Sequence, residues 1–167
     1  KNLTYNFIHS NFTVGAHTIK VVGIDTTGSV DSTSFMMFSN SVITDAPLPN
    51  GLNHGINYTG TTTATLALYA PYKDFVYLLG DFNDWKVETN YMLNRHVVNS
   101  DSVIWWIDLT VSPGTEYAFQ YLVDGTIRTG DPYSEKILDP WNDDDIPAIN
   151  YPNLKPYPSG KTSQAVT

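Results

Sequence analysis

The sequence predicts an all-β protein built as a β-sandwich. Three observations predict it: helical periodicity is nearly absent, short runs with period-two alternation dominate, and turn residues punctuate them at roughly ten-residue spacing. The chain has 167 residues. Its first runs are about Leu3–His9, His17–Asp25 and Ser32–Phe38, parted by turn-rich pieces at Val14-Gly15 and Thr26-Thr27-Gly28. Asp45-Ala46-Pro47-Leu48-Pro49-Asn50-Gly51 follows. It lacks donors at its prolines, so 45–54 reads as a linker.

The second block is denser, with strands expected at about Gly55–Tyr58, Thr63–Ala70, Phe75–Gly80, Tyr91–Val97, Val103–Leu109, Glu116–Val123 and Thr126–Thr129. Asp124-Gly125 is the strongest hairpin signal, because both positions tolerate positive φ. Ser112-Pro113-Gly114 marks another turn. About seven short strands within some ninety residues point to a sandwich over 55–146. Beyond Asp131-Pro132 the chain turns irregular. Tyr151-Pro152-Asn153-Leu154-Lys155-Pro156-Tyr157-Pro158 is an extended exit, so 147–167 reads as a Pro-rich linker.

Composition excludes several function classes. Seventeen acidic against nine basic residues give a net charge of −8, with no Lys/Arg cluster. Nucleic acid and anionic membrane surfaces are therefore not expected partners. No apolar run is long enough to span a bilayer. Residues Lys1 to Ser10 lack the apolar core of a signal peptide. With no initiator methionine either, an excised internal fragment is expected. There is no cysteine, hence no disulfide framework and no thiolate metal site. Eleven tyrosines and four tryptophans on a polar background suit an extracellular module.

Three strands cannot cover an apolar face carrying Phe35, Met37, Ile19 and Val21 without a partner sheet. The run from Phe12 to Val21 resembles the late-strand signature of bacterial Ig-like repeats. Residues 1–44 are therefore expected to be the last strands of a truncated Ig-like module. They would pack on the second block or on a neighbouring chain.

The most informative stretch is Gly80-Asp81-Phe82-Asn83-Asp84-Trp85. A strand ends in a glycine and a polar turn, and an aromatic ring stands just beyond it. Sugars stack their apolar C–H faces on such rings while their hydroxyls find polar neighbours at the edge. Two further stretches accompany it: Tyr117-Ala118-Phe119-Gln120-Tyr121-Leu122-Val123-Asp124-Gly125 and Asp131-Pro132-Tyr133. In this order and spacing, 56–146 resembles the family-48 carbohydrate-binding module. That is the Ig-like domain ahead of the barrel in many family-13 glycoside hydrolases of the α-amylase type.

The resemblance implies an immunoglobulin-like sandwich and a role on α-glucans such as starch or glycogen. It also implies a bacterial parent that is secreted, periplasmic or cell-surface. It places Trp85 where glycogen-binding members stack a tryptophan on glucose, just after the turn carrying Asn83. Gln120 stands where a lysine bonds the sugar, and its amide can both donate and accept. Ile127 stands where a second tryptophan completes the platform. The implied partners are an α-glucan oligosaccharide, bound weakly, and the catalytic barrel of the same polypeptide. No cofactor is implied.

Each candidate has a plainer reading beside it. Trp85 either stacks on sugar or seals a joint. One stacked ring supports affinity on the order of millimolar, about −4 kcal/mol. Trp105 and Trp106 are adjacent in a strand, so one faces in and one out. The outward ring is expected against a barrel. Asp139-Pro140-Trp141-Asn142-Asp143-Asp144-Asp145 lacks the alternating order of a calcium loop and reads as a solvated acidic bend. His9, His17, His54 and His96 have no metal-ligand spacing and read as structural or surface residues. Asn-x-Thr triplets at Asn2, Asn11 and Asn57 would accept glycans only in a eukaryotic secretory route. Retaining hydrolysis needs two carboxylates about 5 Å apart in a cleft, and the sandwich offers no obvious cleft. The fragment itself is expected to be non-catalytic.

Overall fold

The computed structural model describes residues 12–13, 15–39, 42–158 and 165–166. The strand expected at Leu3–His9 lies outside them. The chain divides into two compact units, Lys1–Val42 and Ile43–Thr167.

In the first unit, β1 (Gly15–Ile24) pairs antiparallel with β2 (Val30–Ser39). The turn closes because Asp25 Oδ1 accepts from the backbone of Thr27 and Ser29 and from the Thr27 hydroxyl. Ile19 lies opposite Phe35, and Val21 opposite Thr33. Alternation puts Ile19, Val21, Phe35 and Met37 on one face. Phe35 and Val21 remain about half exposed there, at 54% and 51%.

The second unit is all-β. Its strands are β3 (Gly55–Tyr58), β4 (Thr63–Tyr69), β5 (Val76–Gly80), β6 (Asn94–Asn99), β7 (Ser102–Thr110), β8 (Phe119–Val123), β9 (Ile127–Thr129), β10 (Ile137–Leu138) and β11 (Ala165–Val166). One sheet runs β3-β4-β7-β6, antiparallel throughout. In the other, β5 pairs with one edge of β8. The opposite edge of β8 is shared by β9 and β11, and β10 pairs with β11. The β8–β9 turn holds Asp124 at φ 50° and Gly125 at φ 69°, as the Asp-Gly signal requires. Two expected strands start late: Thr89–Tyr91 is a 3₁₀ turn before β6, and β8 begins only at Phe119.

Alternating residues from both sheets meet in one core. Leu66 and Leu68 of β4 and Val103, Trp105, Ile107 and Leu109 of β7 face Val76, Leu78, Phe119, Tyr121 and Val123. Trp105 is fully buried, and its indole N–H donates to Ala70 O at 2.9 Å. Trp106, the outward ring, is half-buried by the chain itself. Its indole donates to Ala46 O at 3.0 Å. The stretch read as a linker begins as a bonded segment. Arg95 N donates to Thr44 O, Ala46 N donates to Arg95 O, and the Arg95 guanidinium grips both Asp45 carboxylate oxygens at 2.7 and 3.0 Å.

The Asp131-Pro132 turn is anchored inside this core. Asp131 is buried, with one oxygen accepting from Tyr121 OH at 2.9 Å and the other from Tyr133 N at 2.8 Å. Gly55 makes room for that turn: at φ 90°, a Cβ there would lie 2.6 Å from Tyr133 Cβ.

Candidate functional site

The turn at Gly80 is built from its own sequence. Gly80 closes β5, and a Cβ on it would meet the Ala118 carbonyl at 2.6 Å and the Phe82 ring at 2.7 Å. Residues Asp81–Asn83 form a 3₁₀ turn. The Asn83 amide clamps it from within, accepting from Gly80 N and donating to Leu78 O, both at 2.9 Å. Phe82 stacks on Tyr91 at 5.2 Å between ring centres. Asp84 and Trp85 then adopt φ of 52° and 60°. A bulky residue at positive φ is strained, so the fold must hold Trp85 there. It does so by bonds at both ends: Trp85 N donates to Gly80 O, and its indole Nε1 to Asp81 Oδ1, each at 3.0 Å.

Asp81 ties three segments together. Its Oδ2 accepts from Ala118 N at 2.9 Å and pairs with Lys155 Nζ at 2.9 Å, while Oδ1 takes the Trp85 indole. Burial disfavours its charge, but the Ala118, Lys155 and Trp85 bonds outweigh that and hold its pKa below the ordinary carboxylate value. Trp85 itself is half-buried. Its ring packs on the buried pair Ala118 and Leu138, on which Leu154 and Tyr157 also pack. The segment read as a Pro-rich exit thus docks beside the turn.

The remaining candidates are not assembled around the Trp85 ring. Gln120 is fully buried, so its amide is not offered to a ligand at the surface. Every residue of β5 and β8 is buried, so the face shared by Ala118, Gln120 and Leu122 is no open groove. Asn83 is buried and its amide is committed to the turn. Ile127 is about half exposed, but it pairs with Val123, at the end of β8 far from Ala118. Directly paired residues share a face. Ile127 therefore lies on the Val123 side of the sheet, away from Gln120.

Sequence reasoning missed Asp81 as the hub and Leu154, Lys155 and Tyr157 as its cover. The signal was present: apolar and basic residues alternate with prolines in the exit, as in a segment that adheres to a surface. The expectation of no cleft also needs correction. A cleft of about 390 Å³ opens at one end of the sandwich, between Ala64, Leu66, Leu109 and Phe119 at its floor and Phe82 and Tyr117 at its wall. Glu116 is the carboxylate on its lining, and it pairs with Lys136. Among the described residues no group of three His, Asp or Glu side chains is arranged to hold a metal. The acidic bend is organised by its own backbone, with Asp139 accepting from Trp141 N and Asp143 from Asp139 N.

No curated protein matches the chain. Among solved structures, the chain is similar to the pullulanase SAP of Group B Streptococcus at 16% identity and a TM-score of 0.39. The alignment covers 80% of this chain and 21% of that one, so the chain spans about a fifth of that protein's length. Residues 53–142 match carbohydrate-binding module 48, the isoamylase N-terminal domain. That match takes in more than half of the 167 residues, including the clamped turn and the buried Asp131 anchor, and the chain belongs to this family.

Proposed function

We propose that this chain is a non-catalytic accessory domain of an α-amylase-type family-13 glycoside hydrolase. It would serve α-glucan metabolism by packing on the catalytic barrel, with only weak glucan contact at Trp85. Family membership supports the accessory role. The observation that carries the preference for packing is the docking of Leu154 and Tyr157 on the Ala118–Leu138 pair beside Trp85. A ring already packed against its own chain has less face to offer, and Gln120 is buried. Its parent is read as a bacterial secreted, periplasmic or cell-surface enzyme.

Titration with maltoheptaose, followed by tryptophan fluorescence and backbone NMR shifts, tests the glucan half of this reading. A shift of Trp85 that saturates in the millimolar range, and that Trp85→Ala abolishes, is the expected result. No change at tens of millimolar would remove glucan contact and leave a glucan-independent packing or protein-interaction module. That second reading is favoured by the same docked segment.

A further inference from the structure

The ring most exposed on this module is not Trp85. Tyr58, at the end of edge strand β3, is 80% exposed, and Tyr133 is 56% exposed. Tyr58 stands between two concavities. On one side is the sandwich-end cleft of about 390 Å³, carrying the Thr61, Ser112 and Thr115 side chains. On the other is a groove of about 90 Å³ lined by His54, Ile56, Tyr133 and Glu135. His54 lies 5.7 Å from the Tyr133 ring and 5.6 Å from that of Tyr69, with Tyr133 OH 3.4 Å from His54 Nδ1.

We propose that this edge, centred on Tyr58 and Tyr133, is a second carbohydrate-binding surface, for the pyranose rings of an oligosaccharide. The proposal rests on the reading that the module engages sugar, and it places the contact on the β3 edge, apart from Trp85. Three features carry it. An open aromatic face suits the C–H face of a pyranose, and Glu135, His54 and the threonine and serine hydroxyls bring donors and acceptors to its rim.

Preorganisation is the third feature. Tyr133 stands on the turn fixed by buried Asp131, which Tyr121 holds from the core. The loop bearing His54 is clamped by Asn57, whose amide accepts from Asn53 N at 2.9 Å and donates to Asn53 O at 2.8 Å. Gly55 lets the two segments meet. Side chains placed by a rigid backbone lose less freedom on binding. The Asp-Pro-Tyr stretch thereby gains a use that turn formation alone leaves unexplained.

The test is an NMR titration of the chain with maltoheptaose, with cellohexaose as a second probe for linkage. Shifts are expected at the amides of 54–58 and 133–135. Tyr58→Ala should weaken the binding read at those amides by about tenfold, and Tyr58→Phe should keep it within about twofold. Tyr58 is exposed, so unchanged dispersion of the remaining spectrum verifies that the variant folds. Shifts confined to 81–86 and abolished by Trp85→Ala would overturn this proposal while upholding the glucan contact at Trp85. Absence of shifts with both sugars at tens of millimolar would overturn both.

Discussion

A methyl group on Gly80 would lie 2.6 Å from the Ala118 carbonyl oxygen and within 2.8 Å of two Phe82 ring atoms. The carbonyl accepts from Asp81 N at 3.0 Å and cannot step aside without losing that bond, so Gly80→Ala should destabilise the domain by about 2–3 kcal/mol. Urea unfolding monitored by tryptophan fluorescence measures this directly. Asn83→Ala should cost about 2–4 kcal/mol, because it strips the partners from the buried Gly80 N–H and Leu78 carbonyl. These residues were legible in the sequence as a motif but not as a mechanism. The motif suggests a ring offered to solvent. In the fold, Asn83 and Gly80 build the turn, and Trp85 is held at positive φ by Asp81 below it.

At the scale of elements, one carboxylate, Asp81, adds an ion pair with Lys155 to the apolar docking of 154–157. The pKa of Asp81 is lowered on folding, so its contribution to docking is fully present above the ordinary carboxylate value near 3.8. It is lost as pH falls through the lower folded value. Acidification below about pH 4 should therefore release the segment, seen as shifted Tyr157 and Lys155 resonances and faster amide exchange there. Asp81→Asn should show released resonances already at neutral pH, and persistence of docking in that variant would mean that Leu154 and Tyr157 suffice. The strands themselves were legible, because alternation and turn residues are local signals. The Asp124-Gly125 hairpin and the Asp25 turn form where their side chains and positive φ demand. By contrast, β10 and β11 pair through sequence-distant partners, and two-residue strands leave no periodicity to read.

At the scale of the whole molecule, the Tyr121–Asp131 bond ties the Asp131 turn to the sandwich core. Burial, then the Asp131 charge and hydrogen bond, push the Tyr121 hydroxyl well above its ordinary pKa of 10.0. A group raised this way stabilises below that value and ceases to as pH climbs beyond it, so Tyr121 should titrate only with alkaline unfolding. Tyr121→Phe should cost about 1–3 kcal/mol by leaving a buried Asp131 oxygen without its donor, and should blur the Tyr133 resonances. Amide exchange should be slowest in β5 and β8, buried along their whole length, and fastest in β1 and β2, whose apolar side chains stay exposed. The sequence by itself determined the all-β class, the sandwich and the place of the key turn, because these follow from local alternation, glycine and turn chemistry, while its motifs carried the resemblance to the family. Only the tertiary structure decided that Gln120 is buried, that Trp85 shares its patch with Leu154 and Tyr157, and that Tyr58 is left open. Which face of a strand meets water depends on what distant segment covers it, and no local pattern records that.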